Sequence, residues 1–209
     1  VRLFVAVEMA GDVIRAAGDL MDELRARAER LAPRARITWV VPDRLHVTLA
    51  FIGAVDDDRA AAIVEALRPS WALASFQIVV EDAGAFPPRG LPRALWAGIG
   101  AGRDALVELQ REVAARLAGV GVPPESRPFH PHVTLARVRV PAGLRTAALL
   151  DGLTGTRLGA FEVGAVTLME SRQSPKGPEY VPLHRAALDQ RGGRPSGGPA
   201  PAAGSRRTD

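Results

Sequence analysis

The sequence predicts an α+β fold with mixed or mainly antiparallel sheets. Three observations predict it: β-prone runs alternate with helical periodicity, some neighbouring runs are joined as in hairpins, and one β-prone pentapeptide occurs twice. No glycine-rich phosphate loop of the dinucleotide or P-loop type is present, which argues against a doubly wound nucleotide-binding sheet.

The elements follow in order. Arg2–Glu8 alternates as a strand. A helical pattern runs from about Asp12 to Leu31, with Ile14, Leu20, Leu24 and Leu31 among its apolar positions, and Pro33 ends it. Ile37–Val41 is a short β-prone run, and Pro42-Asp43 turns the chain into a strand over Leu45–Ile52. Asp56, Asp57 and Asp58 supply the negative charge that favours a helix start, and that helix runs to about Leu67, before Pro69. Ser75–Asp82 reads as a strand and Gly84–Pro92 as a loop. Ala94–Ile99 is a strand, Arg103–Leu117 a helix, Gly119–Pro128 a loop and His132–Val138 a strand. A short helix is expected over Leu144–Leu150. Phe161–Ser171 and Tyr180–Leu188 read as a last strand pair around a Ser-Pro-Lys-Gly-Pro turn.

The chain has 209 residues, 47% of them apolar, enough for one domain or two small packed lobes. No run approaches the roughly 18 consecutive apolar residues of a membrane span, so a soluble, cytoplasmic protein is expected, without membrane attachment. The lack of cysteine excludes disulfides, thiol nucleophiles and cysteine-held metals. Net charge is +4, but four arginines and two aspartates of the tail Asp189–Asp209 supply half of it. That charge fits a polyanion such as RNA and equally an arginine-rich composition, so it does not decide function. The domain is expected over residues 1–188. Residues 189–209, rich in Gly, Pro and Arg, are expected to be a disordered tail.

The repeated pentapeptide carries the chemistry. His46-Val47-Thr48-Leu49-Ala50 recurs unchanged as His132-Val133-Thr134-Leu135-Ala136. With only four histidines and eight threonines in the chain, two such coincidences are not accidental. The repeat implies two half-structures, each giving one copy to a shared centre. On a strand, residues i and i+2 share a face, so each copy presents an imidazole beside a hydroxyl, backed by Val and Leu. Two such strands side by side form a cleft suited to displacement at phosphorus. That reaction needs a base on the attacking oxygen and an acid on the leaving oxygen, and imidazole serves in either state near neutral pH. Threonine hydroxyls can donate to the non-bridging oxygens. A single His-x-Thr would more often be a half-buried strand histidine; the duplication tells against that. Two histidines could also ligate zinc, but no third ligand completes a set, so no metal and no cofactor are expected. A Ser–His–Asp triad is weaker still, since no Gly-x-Ser-x-Gly elbow is present.

At these residues the sequence resembles the two-histidine phosphoesterase superfamily, in particular the RNA 2′,3′-cyclic phosphodiesterases historically called 2′-5′ RNA ligases. The resemblance extends over residues 1–188, through Arg2–Ala6, Trp39–Pro42, Phe51–Gly53, Phe86-Pro87, Pro92–Trp96, Phe129–Arg137 and Leu168–Ser171. It implies a bilobal fold: two antiparallel-rich sheets related by a pseudo-twofold axis, helices outside and the cleft between. It also implies hydrolysis of the ring on RNA ends to a 2′-phosphomonoester; a monomer is expected. His46 would be the proton donor, His132 the acceptor, and Thr48 and Thr134 the phosphate ligands. The sequence alone leaves donor and acceptor interchangeable. The pattern departs at Ala50, where many relatives carry a lysine.

Other residues are weighed beside these. Arg137 should face away from Thr134 unless its strand bulges; on the cleft side it would contact phosphate. Arg93 ends a proline loop near the cleft. Phe51, Trp39 and Tyr180 offer faces for stacking on a base, although packing is the commoner use of such residues. His130 is expected at the cleft edge and His184 in a structural place. Competing activities are hydrolysis of small cyclic nucleotides, 2′-5′ end joining, and RNA-end binding without turnover.

Overall fold

The computed structural model describes residues 1–175 and 177–189. Nine strands and four helices occur among them: β1 (Arg2–Glu8), α1 (Gly11–Leu31), β2 (Arg36–Trp39), β3 (His46–Ala54), α2 (Asp57–Leu67), β4 (Phe76–Phe86), β5 (Ala94–Ile99), α3 (Arg103–Gly119), β6 (His132–Val140), α4 (Thr146–Leu149), β7 (Arg157–Val163), β8 (Ala165–Ser174) and β9 (Gly177–Ala187). A 3-10 turn over Pro42–Arg44 leads into β3.

All strand pairings are antiparallel, in the order β7-β4-β5-β6-β3-β1-β8-β9, with β2 also on β6. The two expected sheets are therefore halves of one sheet. They meet at one Cα pairing, Val47 with Val133, between the two repeat strands. The halves mirror each other in connection as well: β1-α1-β3 on one side and β5-α3-β6 on the other.

Helix amphipathicity fixes the layering. In α1, Val13, Ala17, Leu20, Met21, Leu24 and Ala28 are buried, the spacing of one helical face. In α3 that face is Leu106, Leu109, Val113 and Leu117. Each long helix crosses to the other half: α1 packs on β7 and α4, and α3 packs on β3 and α2. One apolar cluster therefore runs under both halves, from Leu3 and Val5 through Val47 and Val133 to Leu135. The lobes are distinct in their strands but share a core.

Some elements differ from expectation. Phe161–Ser171 is not one strand: Gly164 separates β7, which pairs with β4, from β8, which pairs with β1 and β9. β4 continues to Phe86 through the expected loop, with a register shift beside Asp82, whose φ is 62°. The short helix covers only Thr146–Leu149. Most of the expected tail lies outside the described residues. Asp189 does not: its backbone bonds to Leu73 and Ser75, so pairing runs one residue past the expected boundary. Among the described residues no helix is long and apolar enough to cross a membrane.

Gly102 opens α3 with φ at 81°, and a Cβ there would sit 2.2 Å from the Gln77 carbonyl oxygen. The left-handed conformation costs about 1–2 kcal/mol for an L side chain. The neighbour is backbone and cannot rotate away. Gly102→Ala is therefore expected to destabilise the fold by about 2 kcal/mol or more. The urea midpoint checks this; an unchanged midpoint would mean that the turn relaxes freely.

Candidate active site

The pairing of Val47 with Val133 sets the centre. In an antiparallel pair, neighbours on either side of a pairing also face each other, which sets His46 across from Thr134 and Thr48 across from His132. All four side chains are half-buried, while Val47, Leu49, Val133 and Leu135 are buried in the core. The alternation expected of the repeat is thus present in both strands.

Both copies then bulge at the same place. Val5 and Ala6 of β1 face Ala50 and Thr48, skipping Leu49, and Leu95 and Trp96 of β5 face Ala136 and Thr134, skipping Leu135. Each bulge buries Leu and Ala in succession and returns the next residue to the cleft side. That residue is Phe51 in one copy and Arg137 in the other. The condition under which Arg137 shares a face with Thr134 is therefore met. Ala50 is buried at the bulge, so a lysine there would have to leave the core.

Each imidazole is held in the same way. His46 Nδ1 donates to the Arg44 carbonyl at 2.7 Å, and His132 Nδ1 donates to the His130 carbonyl at 2.6 Å. A carbonyl only accepts, so Nδ1 carries the proton and Nε2 is left as the reactive nitrogen of both rings. Burial lowers the pKa of both below the ordinary 6.5, against the raising effect of the carbonyl bonds. The charge of His132 lowers His46 further, and the Arg137 guanidinium lowers His132. Both effects disfavour the charged form of the ring they act on.

Aromatic rings pack on both. Phe4 lies 5.0 Å from His46 and Tyr180 5.2 Å from it, edge-on. Phe86 lies 5.2 Å from His132 and Trp96 6.4 Å. Tyr180 therefore packs against an imidazole and lines the cavities beside it. Phe4, Phe86 and Trp96 were not singled out in the sequence as site residues. The signal for Phe4 was available: Arg2–Glu8 is apolar on both faces, so β1 had to bury Phe4 and Ala6 against something besides the main core.

The remaining candidates separate. Phe51 is 59% exposed and, with Phe4, His46 and Tyr180, lines a cavity of about 170 Å³, a position fit for stacking. A larger cavity of about 540 Å³ also opens beside His46, past Glu8 and Arg44. Neither cavity includes His132 in its lining, so they flank the imidazole pair without enclosing it. His130 stands at the rim, where Arg103 donates to its Nδ1 at 3.3 Å; burial, that charge and His132 lower its pKa. Trp39 lies under the Arg25 guanidinium of α1, at 5.2 Å, a packing role. His184 is on β9 opposite Leu168 in the core layer, away from the cleft.

The chain as a whole is similar to known proteins. Residues 16–175 match the family model of the 2′-5′ RNA ligase superfamily. An RNA 2′,3′-cyclic phosphodiesterase of Aeropyrum pernix is 37% identical over 69% of this chain and 82% of its own. One from Archaeoglobus fulgidus is 31% identical over 87% of this chain and 97% of its own. Among solved structures, TT0787 of Thermus thermophilus matches with a TM-score of 0.70 at 27% identity, covering 90% of this chain and 98% of that one. E. coli LigT in its apo form matches at 0.66 and 28%, with the same coverage.

Proposed function

The chain belongs to the 2′-5′ RNA ligase superfamily, and from that premise we propose that it hydrolyses RNA 2′,3′-cyclic phosphates to 2′-phosphomonoesters, with His46 and His132 as acid and base. The observation that carries this reading is the identical hold on two imidazoles that flank one strand pairing, each with Nδ1 bonded to a carbonyl and Nε2 left over from that hold.

Neutral His132 accepts a proton at Nε2 from the attacking water, whose oxygen forms the new bond to phosphorus. Protonated His46 gives its Nε2 proton to the 3′ oxygen as that P–O bond breaks. The ring opens to a 2′-monoester and a free 3′ hydroxyl. The two hydroxyls, Thr48 and Thr134, donate to the non-bridging oxygens as charge gathers there. Arg137, beside His132, adds a cation on the same face, and Phe51 offers its ring to a base. The assignment of donor and acceptor follows the family resemblance, since both rings are held alike.

The test is an RNA with a 2′,3′-cyclic end, followed by identification of the monoester. A 2′-phosphate is expected; a 3′-phosphate, or no opening, would refute the reading. Because imidazoles perform both proton transfers, turnover should be the same with and without EDTA. Inhibition by EDTA that added Zn²⁺ reverses would favour a metal-bound water instead.

A further inference from the structure

The cleft is electrically lopsided. On the His46 side, the 540 Å³ cavity is lined by Glu8, Asp43 and Glu179, with Arg44 as the one arginine or lysine among the described residues of its lining. On the other side lies a groove of about 780 Å³, between the 87–93 loop and the far half of β6. Its described lining includes Arg93 and Arg139, the apolar Phe86 and Leu91, and no carboxylate.

Phe86 joins this groove to the centre, because the same ring packs on His132. β6 joins them a second time. Beyond its bulge, Arg137 and Arg139 are exposed while Val138 between them is buried, so both guanidinium stems leave the face that carries His132 and Thr134. Arg93 is fixed beside them: its N–H donates to the Phe86 carbonyl at 2.7 Å, and its carbonyl accepts from the Val138 N–H at 2.9 Å. Among the described residues, none of Arg93, Arg137 and Arg139 takes part in an ion pair. Arg93, Arg137 and Arg139 therefore put positive charge on the His132 side of the site, across from a cavity lined by carboxylates, a distribution that favours a polyanion running in one direction from the imidazoles.

We propose that the Arg93–Arg139 groove binds the backbone of the RNA strand upstream of its cyclic end, making an oligonucleotide the preferred substrate over a cyclic mononucleotide. This rests on the hydrolase reading of the same site. Arg139 stands seven residues along β6 from His132, roughly 20 Å at the rise of a strand. Even allowing for the reach of its side chain, it is placed nearer to phosphates upstream of the terminal nucleotide than to the cyclic one. The apolar Leu91, 47% exposed, offers contact to a base or ribose along the way.

The experiment compares kcat/KM for a 2′,3′-cyclic mononucleotide with that for cyclic-ended oligonucleotides of increasing length, in the unaltered protein and in Arg139→Ala, Arg139→Lys and Arg139→Glu. Arg139 is exposed, so these changes leave the core untouched. In the unaltered protein kcat/KM should climb with length and then level off. Arg139→Ala should lower the oligonucleotide value roughly tenfold more than the mononucleotide value, chiefly through KM, and reduce the salt slope of binding by about one. Arg139→Lys should keep most of the preference and Arg139→Glu lose more than Ala. Equal losses on both substrates, or an unaltered protein with no length preference, would overturn the inference alone. An unaltered protein that opens neither substrate would overturn the hydrolase reading and this inference with it.

Discussion

Replacing His132 by alanine is expected to lower kcat on an RNA 2′,3′-cyclic end by about 10²–10⁴, the range for loss of one positioned acid–base group. His46→Ala should fall in the same range, because its ring is held by the same kind of bond and works on the opposite oxygen. The two rings act in one step. The double variant should therefore be little worse than the poorer single variant, not the product of both. The fold should survive, since both rings are half-buried above a core that Val47, Leu49, Val133 and Leu135 complete without them. Steady-state kinetics with a thermal melt of each variant checks this. Near-normal turnover in either alanine variant would remove that histidine from the chemistry, and loss of the folded state would make the defect structural.

The second large effect is on pH. Activity needs one imidazolium and one neutral ring, so kcat/KM should trace a bell. Burial lowers both pKa values below 6.5, so both limbs lie on the acid side of ordinary histidine behaviour. Above the upper pKa no acid remains, and the rate falls tenfold per unit. Below the lower pKa both rings are charged and no base remains. Stability, by contrast, is lost only on the acid side. The unfolded histidines take up protons below about 6.5 that the buried rings resist, so stability is lost as pH falls from that value towards their folded pKa values. His46→Ala should flatten that decline in Tm between pH 7 and 5. A kcat/KM profile that still rises above pH 7.5 would contradict the assignment of the acid.

Much of this was legible in the residues. The duplicated His-Val-Thr-Leu-Ala, read at the two-residue period of a strand, gave the face on which His46, Thr48, His132 and Thr134 lie. The strands at Arg2–Glu8 and Ala94–Ile99 and the helix that begins at Arg103 were marked by alternation and by turn residues, and they stand where expected. The rest depended on partners distant in sequence. The Gly84 region looked like a loop, yet Gly84 is a strand residue whose missing side chain leaves room for the Trp96 indole; a Cβ would stand 2.1 Å from that ring. Arg137 could not be placed without knowing that Leu135 and Ala136 are buried in succession, because one bulge moves every later side chain to the other face. The crossing of α1 and α3 between the halves joins two lobes over one core, and no local periodicity encodes it.

A crystal structure with a nucleoside–vanadate bound in the cleft tests the pairing most directly, because its trigonal-bipyramidal vanadium shows both apical oxygens at once. His46 Nε2 and His132 Nε2 should each lie about 2.6–3.2 Å from a different apical oxygen, with the Thr48 and Thr134 hydroxyls on the equatorial ones. Both rings on one side of the vanadium, or either ring beyond hydrogen-bond reach of it, would contradict the paired acid and base.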